Sequence, residues 1–271
     1  MSLVETNWLE KNLDSLKIID SSWHMPQTER NGFEEYTNQH IPNAIFFDLD
    51  NNSRKNINLP HMLVDIGSWE KIVSNMGIEK NDEIIIYDNS DVVSACRCWF
   101  NFIYFGHSPK LVHVLNGGLK KWTKEKREVT NNLSKIKVSN YKSFEKENLV
   151  KDKNSIDQNI YHQKFKVIDA RSKERFEGKV AEPRRGLRSG SIQNSFCIPF
   201  NYCLNKDNTF KSIDELKNIF KSCLENINQK DIVFSCGSGV TACVLALAYS
   251  LINDKYHPII YDGSWAEYGI I

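Results

Sequence analysis

Four landmarks occur twice in this chain, in the same order and about 150 residues apart, the size of one ordinary domain. Lys17-Ile18-Ile19-Asp20-Ser21 opens the first half as Lys166-Val167-Ile168-Asp169-Ala170-Arg171 opens the second. His40 to Phe47 has a weaker echo in Ser191 to Pro199. Glu83 to Asp88 matches Asp231 to Cys236, and Leu111 to Gly118 matches His257 to Ser264. The apolar runs are short, bounded by turn residues and separated by helical segments. That pattern predicts α/β units around a mostly parallel sheet, twice over. The expected boundaries are 1–130 for the N-terminal domain and 148–271 for the C-terminal one. Residues 131–147, rich in Asn, Lys and Ser, read as an exposed linker.

The two copies differ where chemistry could occur. In the second half a cysteine follows the third landmark strand, in Cys236-Gly237-Ser238-Gly239-Val240-Thr241, and the apolar run from Ala242 to Tyr249 reads as a helix. Glycines let such a turn fold tightly. Successive N–H groups can then form an anion nest, reinforced by the positive end of the helix dipole. A cysteine in such an electropositive, partly exposed setting favours the thiolate and becomes a nucleophile. The first half has Asp88 at this point, in a loop one residue longer and without glycines. A carboxylate is no sulfur nucleophile and repels anions, so the N-terminal domain is expected to be catalytically silent. Cys96, Cys98 and Cys243 lie in the helices that follow the two loops and read as packing residues.

Cys236 to Ala242 resembles the active-site loop of the 3-mercaptopyruvate sulfurtransferases, close relatives of the rhodaneses (thiosulfate sulfurtransferases). The resemblance implies tandem rhodanese-like domains, with the loop amides of Gly237, Gly239, Val240 and Thr241 contributing to substrate binding. A cationic segment, Arg171, Arg175, Arg184, Arg185 and Arg188, follows the opening strand of the second half. Guanidinium groups can clamp a carboxylate through paired hydrogen bonds. Arg175-Phe176-Glu177-Gly178, with Glu182-Pro183-Arg184-Arg185-Gly186, is similar to the family segment that binds the mercaptopyruvate carboxylate. By that motif Arg175 and Arg184 are the clamp. The chain departs from the family pattern at Glu177, where arginine is common, and at Arg185, where an acidic residue is common. Arg171, directly after the Asp169 strand, reads as a fold-stabilising residue. In the first half, Phe47-Asp48-Leu49-Asp50 and Leu59-Pro60-His61-Met62 resemble the family segments whose Asp and His accompany the loop serine. The resemblance therefore implies a Ser238–His61–Asp50 relay for proton handling.

The expected function is transfer of sulfur from 3-mercaptopyruvate through a Cys236 persulfide to a thiol, reduced thioredoxin or cyanide, with release of pyruvate. Thiosulfate is the alternative donor, but rhodaneses that prefer it carry a basic pair where Gly237 and Ser238 stand. A cysteine phosphatase needs an arginine at the end of the loop, where Thr241 and Ala242 stand. A non-enzymatic sulfur carrier is the reading from another class. No cofactor and no metal are expected, since no zinc-like spacing is present.

Composition narrows the partners. With 41% hydrophobic and 25% charged residues and a net charge of +1, nothing points to nucleic acid or a membrane surface. The longest apolar run, Val240 to Ile252, is too short to span a bilayer, and the N-terminus lacks the features of a signal peptide. Seven cysteines without a regular framework suit a reducing compartment. A cytoplasmic protein is expected, or a mitochondrial one in a eukaryote, as a monomer or homodimer.

Overall fold

The structure, a computed structural model, describes residues 2–224 and 231–271. They form two compact units. The first comprises Met1–Arg54, Leu63–Lys146 and Lys206–Thr209; the second comprises Lys55–Met62, Glu147–Asn205 and Phe210–Ile271.

In the first unit, β1 (Leu3–Val4), β2 (Lys17–Asp20), β3 (Ala44–Phe46), β4 (Ile84–Tyr87) and β5 (Val112–Leu115) make a parallel sheet of order β1-β5-β4-β2-β3. Helices α1 (Thr6–Glu10), α2 (Gly32–Asn38), α3 (Ile66–Asn75), α4 (Ala95–Tyr104) and α5 (Gly118–Lys124) accompany it. In the second unit, β6 (Val150–Lys151), β7 (Lys166–Asp169), β8 (Phe196–Cys197), β9 (Ile232–Ser235) and β10 (Ile260–Tyr261) pair in parallel in the order β6-β10-β9-β7-β8. Its helices are α6 (Lys153–His162), α7 (Lys173–Phe176), α8 (Ile213–Lys221), α9 (Ala242–Ile252) and α10 (Ser264–Tyr268). Each strand of the second unit takes the place of the strand five before it. The repeat in the sequence is therefore a repeat of topology.

The central strands are unbroken apolar runs because both of their faces are covered. Ile84, Ile85 and Ile86 are fully buried, as are Ile232, Val233 and Phe234. Helix α9 is buried from Ala242 to Tyr249. Phe220, Phe234, Tyr249 and Tyr256 pack edge to face beside it, with ring centroids 4.8–6.1 Å apart. Cys243 is fully buried among them, and Cys96 and Cys98 are buried in α4.

Two features lie beyond what local pattern predicts. Strands β1 and β6 were absent from the sequence reading, because two residues carry no alternation. Residues 131–146 contain no helix or strand and are mostly exposed, as their polar composition predicts. They belong to the first unit. Tyr141 is 1% exposed, stacks on His107 with ring centroids 5.9 Å apart, and shares a 3.0 Å hydrogen bond with that ring. Ser139 N–H donates to Ser74 O and Lys146 N–H to Tyr104 O. One buried aromatic residue and these backbone bonds tie an otherwise exposed stretch to the first unit.

In each sheet the chain leaves two neighbouring central strands in opposite directions, which opens a crevice at their carboxyl ends. In the second unit those strands are β7 and β9, followed by Asp169-Ala170-Arg171 and by Cys236. The corresponding strands β2 and β4 lead to Asp20 and Asp88. Arg171 pairs with Asp169 through Nε and Nη2 at 2.7–3.2 Å. The first unit has Ser22 at the matching position, donating its N–H and hydroxyl to Asp20 Oδ1 at 2.9 and 2.6 Å. Without a cation, burial raises Asp20 to a pKa of about 7 despite the Ser22 bonds, and Asp88 adds to the rise.

An acid whose pKa is raised by folding stabilises the fold least when it is ionised. The Asp20 contribution is therefore fully present below about pH 4 and is lost as pH rises to about 7, by roughly 4 kcal/mol. Asp20→Asn should remove that loss. Urea unfolding of the wild type and the variant at several pH values should show their stability difference widening in favour of Asn from pH 4 to 7.

Candidate active site

Residues 236–241 turn from β9 into α9. Cys236 N–H donates to Ser264 Oγ at 3.2 Å, and Ser264 hydroxyl donates to Tyr261 O at 2.8 Å. The first N–H groups of α10 reach the loop from the same side: Trp265 N–H donates to Cys236 O and Ala266 N–H to Gly237 O, both at 2.9 Å. A trans peptide holds its C=O and N–H in opposite directions. Tying those two carbonyls to α10 therefore turns the N–H groups of Gly237 and Ser238 away from it. Among the described residues, the N–H groups of Gly237, Ser238, Val240 and Thr241 donate to no protein acceptor. Gly239 takes φ +77°, the left-handed conformation that completes the turn.

Both predicted clamp residues lie over this loop. A Cβ placed on Gly237 would lie 3.3 Å from Arg175 Nη2 and 3.5 Å from Arg184 Nη1. Gly237 therefore lies directly beneath both guanidinium groups, and its φ is not in the left-handed region. Arg184 Nη2 donates to Ser238 Oγ at 3.3 Å. Arg175 is held by Glu182, with Nε 3.2 Å from Oε1 and Nη2 2.5 Å from Oε2. Glu182 in turn accepts from Arg171 Nη1 at 2.8 Å. Burial opposes the charge of Arg171, but Asp169 and then Glu182 raise its pKa above the ordinary value. Its guanidinium lies 4.3 Å from the centroid of the buried Trp265 ring, with Arg188 at 4.6 Å from the same centroid.

Ser238 Oγ is 2.9 Å from His61 Nδ1. Arg184 can only donate, so Ser238 accepts from it and can give its own proton to an unprotonated Nδ1, leaving the ring proton on Nε2. His61 belongs to the second unit and takes φ +60°, a conformation costly for a residue with a side chain. Asp50, the third member expected of the relay, belongs to the first unit, where its Oδ2 accepts from Trp23 Nε1 at 3.0 Å.

The matching loop of the first unit is filled by its own side chain. Asp88 Oδ2 accepts from the N–H groups of Ser90 and Ser94, each at 3.1 Å, and from both hydroxyls. Burial raises its pKa even so. Amides left without a protein acceptor around Cys236 thus have counterparts that serve an internal carboxylate.

The sequence led us to expect a partly exposed cysteine, whereas Cys236 is 1% exposed. Ser264 and Trp265, both buried, are hydrogen-bonded to its backbone, and the loop is half-buried at Gly237 and Thr241. Among the other thiols, burial pushes Cys98 well up and both Cys197 and Cys203 up to about 12, which removes them as nucleophiles. No group of three or more His, Cys, Asp or Glu among the described residues could hold a metal ion.

Sequence reasoning gave no role to Ser264 or Glu182. Aligning the repeats could have found the first, since Ser264 stands at Gly118, whose φ of +55° it shares at +50°. A Cβ on Gly118 would lie 2.3 Å from Asp88 O, so only the second unit has room for the hydroxyl that takes the cysteine N–H.

A family model described as a rhodanese-like domain matches residues 5–125 and 152–270. The chain is 38% identical to thiosulfate/3-mercaptopyruvate sulfurtransferase 1, mitochondrial, of Arabidopsis thaliana, over 98% of this chain and 75% of that protein. It is 33% identical to the 3-mercaptopyruvate sulfurtransferase of Mus musculus and 34% to the thiosulfate sulfurtransferase of Rattus norvegicus, each over 98% of this chain and 91% of the relative. The crystal structure of SseA from Escherichia coli, a 3-mercaptopyruvate sulfotransferase of rhodanese fold, superposes with a TM-score of 0.87 at 30% identity, covering 98% of this chain and 99% of that one.

The two loop glycines should respond differently to alanine. Gly239→Ala forces a side chain into the left-handed region and should destabilise the second unit by about 1–2 kcal/mol. Gly237→Ala meets only the tips of two flexible arginines and should fall within about 0.5 kcal/mol of wild type. Urea unfolding, followed in parallel on both variants, checks the contrast.

Proposed function

The chain belongs to the rhodanese-like family, and from that premise we propose that it is a sulfurtransferase that takes sulfur from 3-mercaptopyruvate through a persulfide on Cys236. The observation that carries this reading is the convergence of Arg175 and Arg184 over Gly237, the residue next to the cysteine. Two guanidinium groups suit a carboxylate, and they leave the loop itself uncharged. That separation fits a donor whose anionic group and transferable sulfur are different ends of one small molecule.

In this mechanism the Cys236 thiolate attacks the sulfur of the bound donor. An S–S bond forms and the C–S bond breaks. Its electron pair passes into the enolate of pyruvate, which takes a proton at the former C–S carbon. The Ser238–His61 hydrogen bond supplies a path for that proton. The persulfide anion is stabilised by loop amides that have no protein acceptor among the described residues. A thiol or cyanide then removes the outer sulfur, which gives ping-pong kinetics. The half-buried positions Gly237 and Thr241 are where a donor can approach the loop. Asp88 in the first unit, already bonded to Ser90 and Ser94, supports a silent N-terminal loop.

Relatives named for thiosulfate make that compound the second donor to test. The neutral pair Gly237 and Ser238 favours the carboxylate donor over a compact dianion. Among the described residues no helix is long and apolar enough to cross a membrane.

Intact-protein mass spectrometry after exposure to mercaptopyruvate should show one added sulfur, mapped to Cys236. Cys236→Ala should lose both the adduct and pyruvate release, and retention of either would refute the assignment. Arg184→Ala, which loses a charged hydrogen bond, should raise KM for mercaptopyruvate about 10- to 100-fold. Comparing kcat/KM for mercaptopyruvate and thiosulfate tests the donor preference.

A further inference from the structure

We propose that Glu182 is a positioning residue: it holds Arg175 over the Cys236 loop and so makes the site selective for donors that carry a carboxylate. This rests on the functional reading above and adds a residue to which that reading gave no role.

Backbone structure does not by itself place Arg175. Helix α7 has four residues, and the segment beyond it bends at Gly178, Gly186 and Gly190, all in left-handed conformations. The guanidinium is placed instead by a ladder of alternating charges. Asp169, at the end of β7, grips Arg171, and Arg171 also donates from Nη2 to Gly190 O at 2.8 Å. Arg171 grips Glu182, and Glu182 grips Arg175 through Nε and Nη2. The Arg171, Asp169 and Glu182 side chains are 1–2% exposed, whereas Arg175 is 20% exposed. The ladder thus starts in the core and ends at the loop. Its last member presents Nη2 beside Gly237, and Nη1 donates to no acceptor among the described residues.

Charge gives Glu182 a second effect. Asp169, Arg171, Glu182 and Arg175 sum to zero, so the ladder brings a guanidinium to the loop without adding net charge there. Without the Glu182 charge, Arg171 and Arg175 face each other as like charges and Arg175 turns to solvent. The carboxylate clamp is then broken while the local field becomes more positive, which penalises mercaptopyruvate more than the dianion thiosulfate.

The test compares wild type, Glu182→Gln, Arg175→Ala and the double variant on both donors. Glu182→Gln should raise KM for mercaptopyruvate about tenfold or more with a much smaller fall in kcat, and shift the kcat/KM ratio toward thiosulfate by about tenfold. Added to Arg175→Ala, it should cause little further loss, because it acts through that residue. If Glu182→Gln melts too low to assay, Arg171→Lys, which keeps the charge and loses the fork, should shift KM and the ratio in the same direction. Equal losses on both donors, or a double variant as poor as the product of the singles, would overturn the proposal while leaving the functional reading intact. A wild-type protein that does not turn over mercaptopyruvate would overturn both.

Discussion

Two hydrogen bonds from the start of α10 set the direction of the Cys236 loop. Trp265 and Ala266 donate to the carbonyls of Cys236 and Gly237, and the planarity of the peptide does the rest. A carbonyl held on one side commits its N–H to the other. The direction of the Gly237 and Ser238 amides is therefore set by a helix outside the loop. Ser264 completes this by binding the cysteine's own N–H. The loop conformation is thus a consequence of how β10 and α10 pack beside β9, as much as of the glycines in the loop.

The two units show how far one topology can diverge in electrostatics. Asp20 and Asp169 end equivalent strands, yet Asp169 has a guanidinium partner and Asp20 has a serine. The first carboxyl is pushed toward neutrality. The second anchors a ladder that carries positive charge to the loop. Asp88 and Cys236 diverge in the same sense: one is a carboxylate bound by its own serines, the other a thiol beside amides without a protein acceptor among the described residues. A parallel sheet supplies the crevice in both units, and in the first unit an internal carboxylate occupies the loop amides.

Much of the site was legible because its chemistry is written in local motifs. Cys236 ahead of Gly237 and Gly239, and Arg175 and Arg184 in their paired segment, could be named from the chain. His61 could also be named, and the structure puts its ring 2.9 Å from Ser238, although 177 residues separate the two. Glu182 was less legible. A glutamate in a polar segment looks solvated, and only its placement between two arginines makes it otherwise. Exposure was harder still: a reactive cysteine was expected near the surface, and Cys236 is buried beneath residues far from it in sequence.

The sequence by itself determined the duplication, the α/β character of each half and the strand–turn–helix setting of the Cys236 loop, because periodicity and turn chemistry act over a few neighbouring residues. Only the tertiary structure decided which polar groups share charge, which loop amides serve an internal carboxylate and how deeply the sulfur lies. Those properties depend on distances between residues that the chain separates and packing brings together, and both charge interaction and desolvation follow distance in space.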